Sequence, residues 1–317
     1  PRTRLRPARF GILAAGVALG LSCGGRQATE QDTDRAPLSA GPDAGAADAG
    51  PVVCHEGVHE GPLEASSAAD LDAAKGITVV TGTLTIRGPW ATSLSELACL
   101  REVRGHVLIY QTSGLTSLEG LSSLAIVGGA LTINENRALT SLEGLEGLFS
   151  LGDNLSIYAN PLLSSLDGPT SLTRVGGSLV VSENPALSDV DGLCELEAVG
   201  VDLTLFHNVA LTNVDGLAAL STIGRNLRIC RNSVLTSLDG LVSLRSVGGG
   251  VDIDRNPSLR TVEGLRGLST IGLGMYIRGN RVLPTCEAES VVARIRANGW
   301  SGIPSISRNA PPMTCQK

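Results

Sequence analysis

Aromatic side chains are nearly absent from this chain. Two Trp, three Tyr and three Phe make up 3% of 317 residues, too few for an aromatic core, so a packed interior must be aliphatic. No long run of Lys and Arg occurs beyond the extreme N-terminus, and the formal net charge is −6. A nucleic-acid partner, whose phosphates require clustered cations, is therefore not expected. The apolar stretch Phe10 to Leu21 falls short of the roughly 20 residues that cross a bilayer as a helix. What the chain has instead is glycine, 39 residues, with 15 Pro, so its backbone must turn often.

The turning is periodic. Leu131, Leu155, Leu179, Leu203, Leu227, Val251 and Met275 share one phase of a 24-residue frame, and Asn136, Asn160, Asn184, Asn208, Asn232, Asn256 and Asn280 share another. A fixed period without insertions is the mark of a solenoid, in which each coil buries its apolar face only against its neighbours. In the coil that starts at Leu131, the apolar positions are Leu131, Ile133, Leu139, Leu142, Leu145, Leu148 and Leu151. Alternation at the start predicts a short strand with two side chains inward, and the later spacing of three predicts a polygonal path. Glycines at the phases of Gly144 and Gly152 exclude a helix and are expected at corners with special backbone angles. The asparagines are expected to adopt turn angles and to pass amide hydrogen bonds from coil to coil. The fold class expected is a β solenoid, a parallel β-helix-like stack with short helical caps. Ser67 to Lys75, with Leu71 inward, is expected to cap the first coil. Glu287 to Ala297, with Val291, Val292 and Ile295 on one side and Gly299 after it, is expected to cap the last.

Three regions precede or contain these coils. Residues 1–23 read as an export signal: Arg2, Arg4, Arg6 and Arg9, then the apolar stretch, then Ser22 and Cys23. The ending Leu19-Gly20-Leu21-Ser22-Cys23 resembles the lipobox of bacterial lipoproteins, with Gly20 where that pattern has leucine. The resemblance implies lipidation of Cys23, and Gly24 after it implies sorting to the outer membrane or cell surface. Residues 24–53 are mostly Ala, Gly, Asp, Pro, Gln and Ser, with almost no large apolar residue, a composition that reads as a tether. Residues 54–317 carry the repeats.

The run Gly129-Ala130-Leu131-Thr132-Ile133-Asn134-Glu135-Asn136, followed by Leu139, Leu142, Gly144-Leu145, Leu148 and Gly152, resembles the receptor L domain. This leucine-rich-repeat relative forms ligand-binding lobes of receptor kinases. The resemblance extends over about residues 76 to 317 and implies a right-handed solenoid and a non-enzymatic binding role. No kinase or cysteine-rich module accompanies it, so receptor signalling does not carry over.

Six cysteines remain after Cys23. Cys286 and Cys315 bracket the C-terminal cap and are expected to pair, and Cys54 with Cys99 would pin the N-terminal one. Cys194 and Cys230 occupy different phases and are read as free thiols.

The outward strand phase reads Tyr110, Asn134, Tyr158, Ser182, Phe206, Cys230, Asp254 and Arg278, with Tyr276 on the neighbouring column. Strands stack roughly 4.8 Å apart, so Tyr110, Tyr158 and Phe206 would recur about every 10 Å, a spacing suited to sugar rings or an extended partner. Arg228, Arg231, Arg255 and Arg278 add positive charge, offset by Asp252 and Asp254. The candidate ligand-binding face is therefore Tyr110, Tyr158, Phe206, Tyr276, Arg228 and Arg278.

The function expected is a monomeric, lipid-anchored, cofactor-free recognition or adhesion domain for a protein or glycan. One alternative is a structural envelope spacer. A remote one is a zinc metalloprotease, from the H-E-x-x-H string His55-Glu56-Gly57-Val58-His59, in which a helix would set two His one turn apart on zinc.

Overall fold

The computed structural model describes residues 54–311, so Cys23, the tether and Cys315 lie outside the described residues. Over this span the chain winds into coils that stack in register. Each coil contributes one strand to each of two parallel sheets, of eleven and ten strands. In the eleven-stranded sheet, Leu131 pairs with Leu155, then Leu179, Leu203, Leu227, Val251 and Met275, with no slip. The expected parallel stack is thus present.

The repeat produces this geometry for a local reason. In a strand such as Leu203–Phe206, alternation puts Leu203 and Leu205 inward, both fully buried, while Thr204 and Phe206 face out. Leu211, Val214, Leu217 and Leu220 then turn inward around the rest of the coil, and all are fully buried. Between them Asp215–Leu217 forms one 3-10 turn. Thr222–Ile223 enters the second sheet with Ile223 inward. That ten-stranded sheet was not anticipated, because two residues per strand are too few to show a period of two.

The asparagine phase is fully buried along its whole length. Each side-chain oxygen accepts the backbone N–H of the asparagine one coil earlier, as in Asn184 N to Asn208 Oδ1 at 3.1 Å. Each amide nitrogen donates to a strand carbonyl one coil earlier, as in Asn208 Nδ2 to Val181 O at 2.9 Å. The expected transfer between coils is present, but the expected turn angle is not. The left-handed backbone falls one residue earlier, on Gln111, Glu135, Ala159, Glu183, His207, Arg231, Arg255 and Arg308, with φ between 55° and 60°. A second ladder runs beside the first: the hydroxyls of Thr140, Ser164, Ser188, Thr212 and Thr236 each donate to the carbonyl of the residue 24 earlier, at 3.0 to 3.1 Å.

Most of the recurrent glycines have a steric cause, not the conformational one expected. A Cβ on Gly200 would run into the carbonyl oxygen of Gly176, and one on Gly216 into that of Val190. In the first column only Gly120, Gly144 and Gly168 also carry a positive φ. Elsewhere, stacked backbones come closer than any side chain allows.

Both ends are closed. At the N-terminus, α1 (Ala68–Ala73) buries Leu71. The Asp70 carboxylate accepts the Ser67 N–H and hydroxyl at 2.8 and 2.9 Å, a capping box. Cys54 and Cys99 form the expected disulfide, with Cα atoms 5.3 Å apart. At the C-terminus, α2 (Thr285–Ala297) buries Val291, Val292 and Ile295 as expected, and Gly299 follows with φ of +95°. The chain then adds an unforeseen rung, Pro304–Ser307, beside Met275–Arg278. Asn309 terminates the asparagine ladder there, accepting Asn280 N–H at 3.0 Å and donating to Ile277 O at 2.8 Å. Thr112 takes the same place at the opposite end, donating its hydroxyl to Asn136 Oδ1 at 2.8 Å. Both Trp sit at the caps as well: the indole N–H of Trp90 donates to Arg87 O and that of Trp300 to Leu273 O.

Two substitutions test the stacking constraint. Asn208→Ala strands the Asn184 N–H and the Val181 carbonyl and is expected to cost about 1–3 kcal/mol for each group left unpaired. Gly200→Ala forces backbones apart and is expected to cost about 1–3 kcal/mol. Urea unfolding of each variant provides the measurement, and losses below about 0.5 kcal/mol would contradict the packing described.

Candidate recognition face and corner groove

The outward positions of the long strands form a continuous face, and the pairing aligns the residues singled out above. Tyr110 pairs with Asn134, which pairs with Tyr158, then Ser182 and Phe206, and the same column continues through Cys230 and Asp254 to Arg278. Arg228, Asp252 and Tyr276 share the neighbouring outward column. All six candidate residues therefore lie on one sheet face, in two columns.

They are not equally available. Tyr158 and Tyr276 are exposed, at 36% and 41%, whereas Tyr110 and Phe206 are half-buried. The guanidinium of Arg231 lies over the Phe206 ring at 5.5 Å and that of Arg278 over Tyr276 at 5.1 Å, and His207 meets Phe206 edge-on at 6.0 Å. Two rings are thus paired with cations, a contact of about 0.5–1 kcal/mol at exposed sites. Asp254 holds Arg255 at 3.3 Å and Asp252 holds Arg278 at 3.4 Å, as the mixed charges led one to expect. Exposed pairs of this kind add little stability.

Cys230 is free, partly buried within this face, and its thiol donates to Asp252 O at 3.7 Å. Burial first, then the Asp252 carboxylate, pushes its pKa up to about 11, so at neutral pH it is a protonated, weakly nucleophilic thiol. Cys194 differs from expectation. It is disulfide-bonded, as is Cys286. The phase argument rightly kept Cys194 from Cys230, but it carried no information about other partners. The pairing of Cys286 with Cys315 involves a residue outside the described ones.

The His55–His59 string does not adopt the geometry its sequence allows. Gly57–His59 is a strand paired with Ile77–Val80, and His59 Nε2 sits 3.1 Å from Pro62 O. A strand lacks the helical turn that would set two His side by side.

Beyond the C-terminal ends of the long strands, the left-handed residues and those just after the asparagines form a corner along the stack. Two grooves follow it. One, of about 610 Å³, is lined by Gln111, Glu135, Glu183, Arg137, Pro161 and Pro185 among others. The other, of about 890 Å³, lies at the C-terminal end and is rich in arginine. Sequence reasoning marked Arg231, Arg255 and Arg278 as positive charge but did not place them in a groove with Arg281 and Arg308, because the members of this corner alternate with buried asparagines.

The receptor L domain family model matches residues 76–198. This match suggests a ligand-binding, receptor-like domain. It is narrower than the sequence resemblance, yet the coils beyond residue 198 keep the register of those within the receptor L domain match. No curated protein matches the chain closely enough to count as a relative.

A further column, Glu119, Glu143, Asp167, Asp191, Asp215, Asp239 and Glu263, places one carboxylate per coil just before the first glycine column. Partial desolvation, followed by the charges of Asp189, Asp215 and Asp167, raises the pKa of Asp191 above the ordinary carboxylate value. A raised folded-state value means a stability contribution present at acid pH and lost as pH rises through that value. Asp191→Asn is accordingly expected to raise the melting temperature at pH 7 and to leave it unchanged below the carboxylate range. Thermal melts at both pH values provide the comparison, and an equal gain at both would exclude charge repulsion as the cause.

Proposed function

We propose that this protein is a non-enzymatic recognition or adhesion domain, monomeric and held at the outer membrane or cell surface by a lipid on Cys23, that presents its long-strand face to a protein or glycan. The observation that carries this reading is the alignment of Tyr110, Tyr158, Phe206 and Arg278 in one outward column of a rigid parallel sheet, with Tyr276 and Arg228 beside it. A sheet fixed by buried ladders holds such side chains at constant spacing, so binding requires little ordering of the receptor. Aromatic rings with adjacent cations suit both sugar rings and the mixed surfaces of proteins. The receptor L domain match supports a ligand-binding role. The tether composition of residues 24–53 suits a domain that must reach from a bilayer.

The test is retention of the purified chain on isolated cell-envelope material. Replacing Tyr158 and Phe206 together with Ala is expected to abolish retention while changing stability by about 1 kcal/mol or less, since both side chains face outward. Undiminished retention of that variant would remove the sheet face as the binding surface. Radiolabelled fatty acid incorporated into the parent but not into Cys23→Ser would support the anchor, and equal labelling of both would refute it.

A further inference from the structure

The C-terminal corner groove is lined by Arg231, Arg255, Arg278, Arg281 and Arg308, with Asp254 as its sole carboxylate among the described residues. Five cations against one anion stand out on a chain whose 31 acidic residues outnumber its 25 basic ones. General composition therefore does not account for the groove. Nor do ion pairs neutralise it. Asp254 is engaged by Arg255, Asp252 by Arg278, and among the described residues Arg231, Arg281 and Arg308 have no carboxylate within ion-pair distance. Arg278 Nε is in addition buried without a hydrogen-bond acceptor.

The backbone makes the arginines more telling. Arg231, Arg255 and Arg308 have φ of 60°, 55° and 58°, a left-handed conformation that favours Gly or Asn over other L-residues. The coil corner requires that angle, but it does not require arginine, and Gly279 fills the same position one coil away. Other coils hold Gln111, Glu135, Ala159, Glu183 and His207 at the same angle, so the arginines of the C-terminal corner are a choice of charge and not of backbone geometry.

The distribution of charge points to the shape of the ligand. The arginines belong to four successive rungs, those of Leu227–Cys230, Val251–Asp254, Met275–Arg278 and Pro304–Ser307. At roughly 4.8 Å per rung, the cations form a line about 14 Å long instead of converging on one point. Such a line fits a polymer with repeated anions better than a single small ion. The remaining lining residues are Ser, Gly, Pro and one His. The groove has no large apolar pocket for an anchoring peptide side chain, and its serines suit the hydroxyls of a sugar chain; an acidic peptide held by the arginines alone is the outcome that the poly-L-glutamate arm below separates.

We propose that this groove binds an acidic polysaccharide, laid along the stack with successive carboxylates paired to guanidinium groups on successive rungs. The site adjoins Phe206, whose ring Arg231 covers, but its lining does not include Tyr158, and it stands whether or not Tyr158 binds a partner.

The experiment uses the full chain and three probes: polygalacturonate, uncharged dextran, and poly-L-glutamate as an acidic peptide. Polygalacturonate is expected to bind, with affinity falling at least about tenfold as salt is raised into the screening range, while dextran does not bind. Arg255→Asn and Arg308→Asn use a residue that tolerates the left-handed angle, so melting temperature should hold. Each is expected to weaken polygalacturonate binding about tenfold. Absence of polygalacturonate binding, or binding untouched by both substitutions, would overturn the proposal. Equal or tighter binding of poly-L-glutamate would also overturn it, in favour of an acidic protein segment. Tyr158→Ala, which leaves Phe206 and Arg231 in place, is expected to keep polygalacturonate binding, and loss of envelope retention by that variant would separate the two surfaces.

Discussion

Stacking in strict register is the constraint on which the rest of this structure depends, and the buried asparagine ladder is where it is enforced. An asparagine fully removed from water must satisfy both its amide oxygen and its amide nitrogen. Here the oxygen's donor and a carbonyl acceptor of the nitrogen lie on the coil before, and in most rungs the nitrogen also reaches the asparagine oxygen of the coil after, so no single coil satisfies its own asparagine fully. A slip of one residue would leave a row of buried amides unpaired and turn the inward side chains of the long strands outward. The glycine columns reinforce the same constraint sterically, because the backbones they separate approach too closely for any Cβ.

Such an arrangement concentrates its difficulty at the ends, where a ladder must stop without leaving buried groups unpaired. Thr112 and Asn309 do this for the asparagines, and α1 and α2 cover the apolar cross-sections that no further coil would cover. The disulfide Cys54–Cys99 ties the first irregular turn to the stack. Interior coils gain from two neighbours and terminal ones from only one, so reinforcement falls where solenoids are weakest.

The rigidity that results gives function a particular form. Loops with a pocket would let a ligand be enclosed, whereas this stack offers a regular outward face and a corner, each repeating at the rung spacing. Side chains on those surfaces are free of packing duty and vary from coil to coil: aromatic in some rungs, acidic at the N-terminal groove, cationic at the C-terminal one. Recognition is thus written in the variable positions of an otherwise invariant frame.

The sequence by itself determined what repeats. The 24-residue phase of leucine and asparagine required a stack, the alternation at Leu203 and Leu205 set the long strands, and the outward column from Tyr110 to Arg278 followed from period two. Cys54–Cys99 and the two cap helices were legible because they interrupt the pattern visibly. Tertiary structure alone decided what depends on one coil lying against another. It showed that Gly200 is required by the carbonyl of Gly176 and not by its own torsion angles, and that the left-handed angle falls on Arg255 and not on Asn256. It also showed that Asn309, 29 residues after Asn280, completes the ladder across an inserted helix, and that Arg231, Arg255, Arg278, Arg281 and Arg308 share one groove. A period records which residue types recur along a chain. Contacts between residues 24 or more apart, and the sign of the charge they gather at a corner, exist only once the coils are stacked.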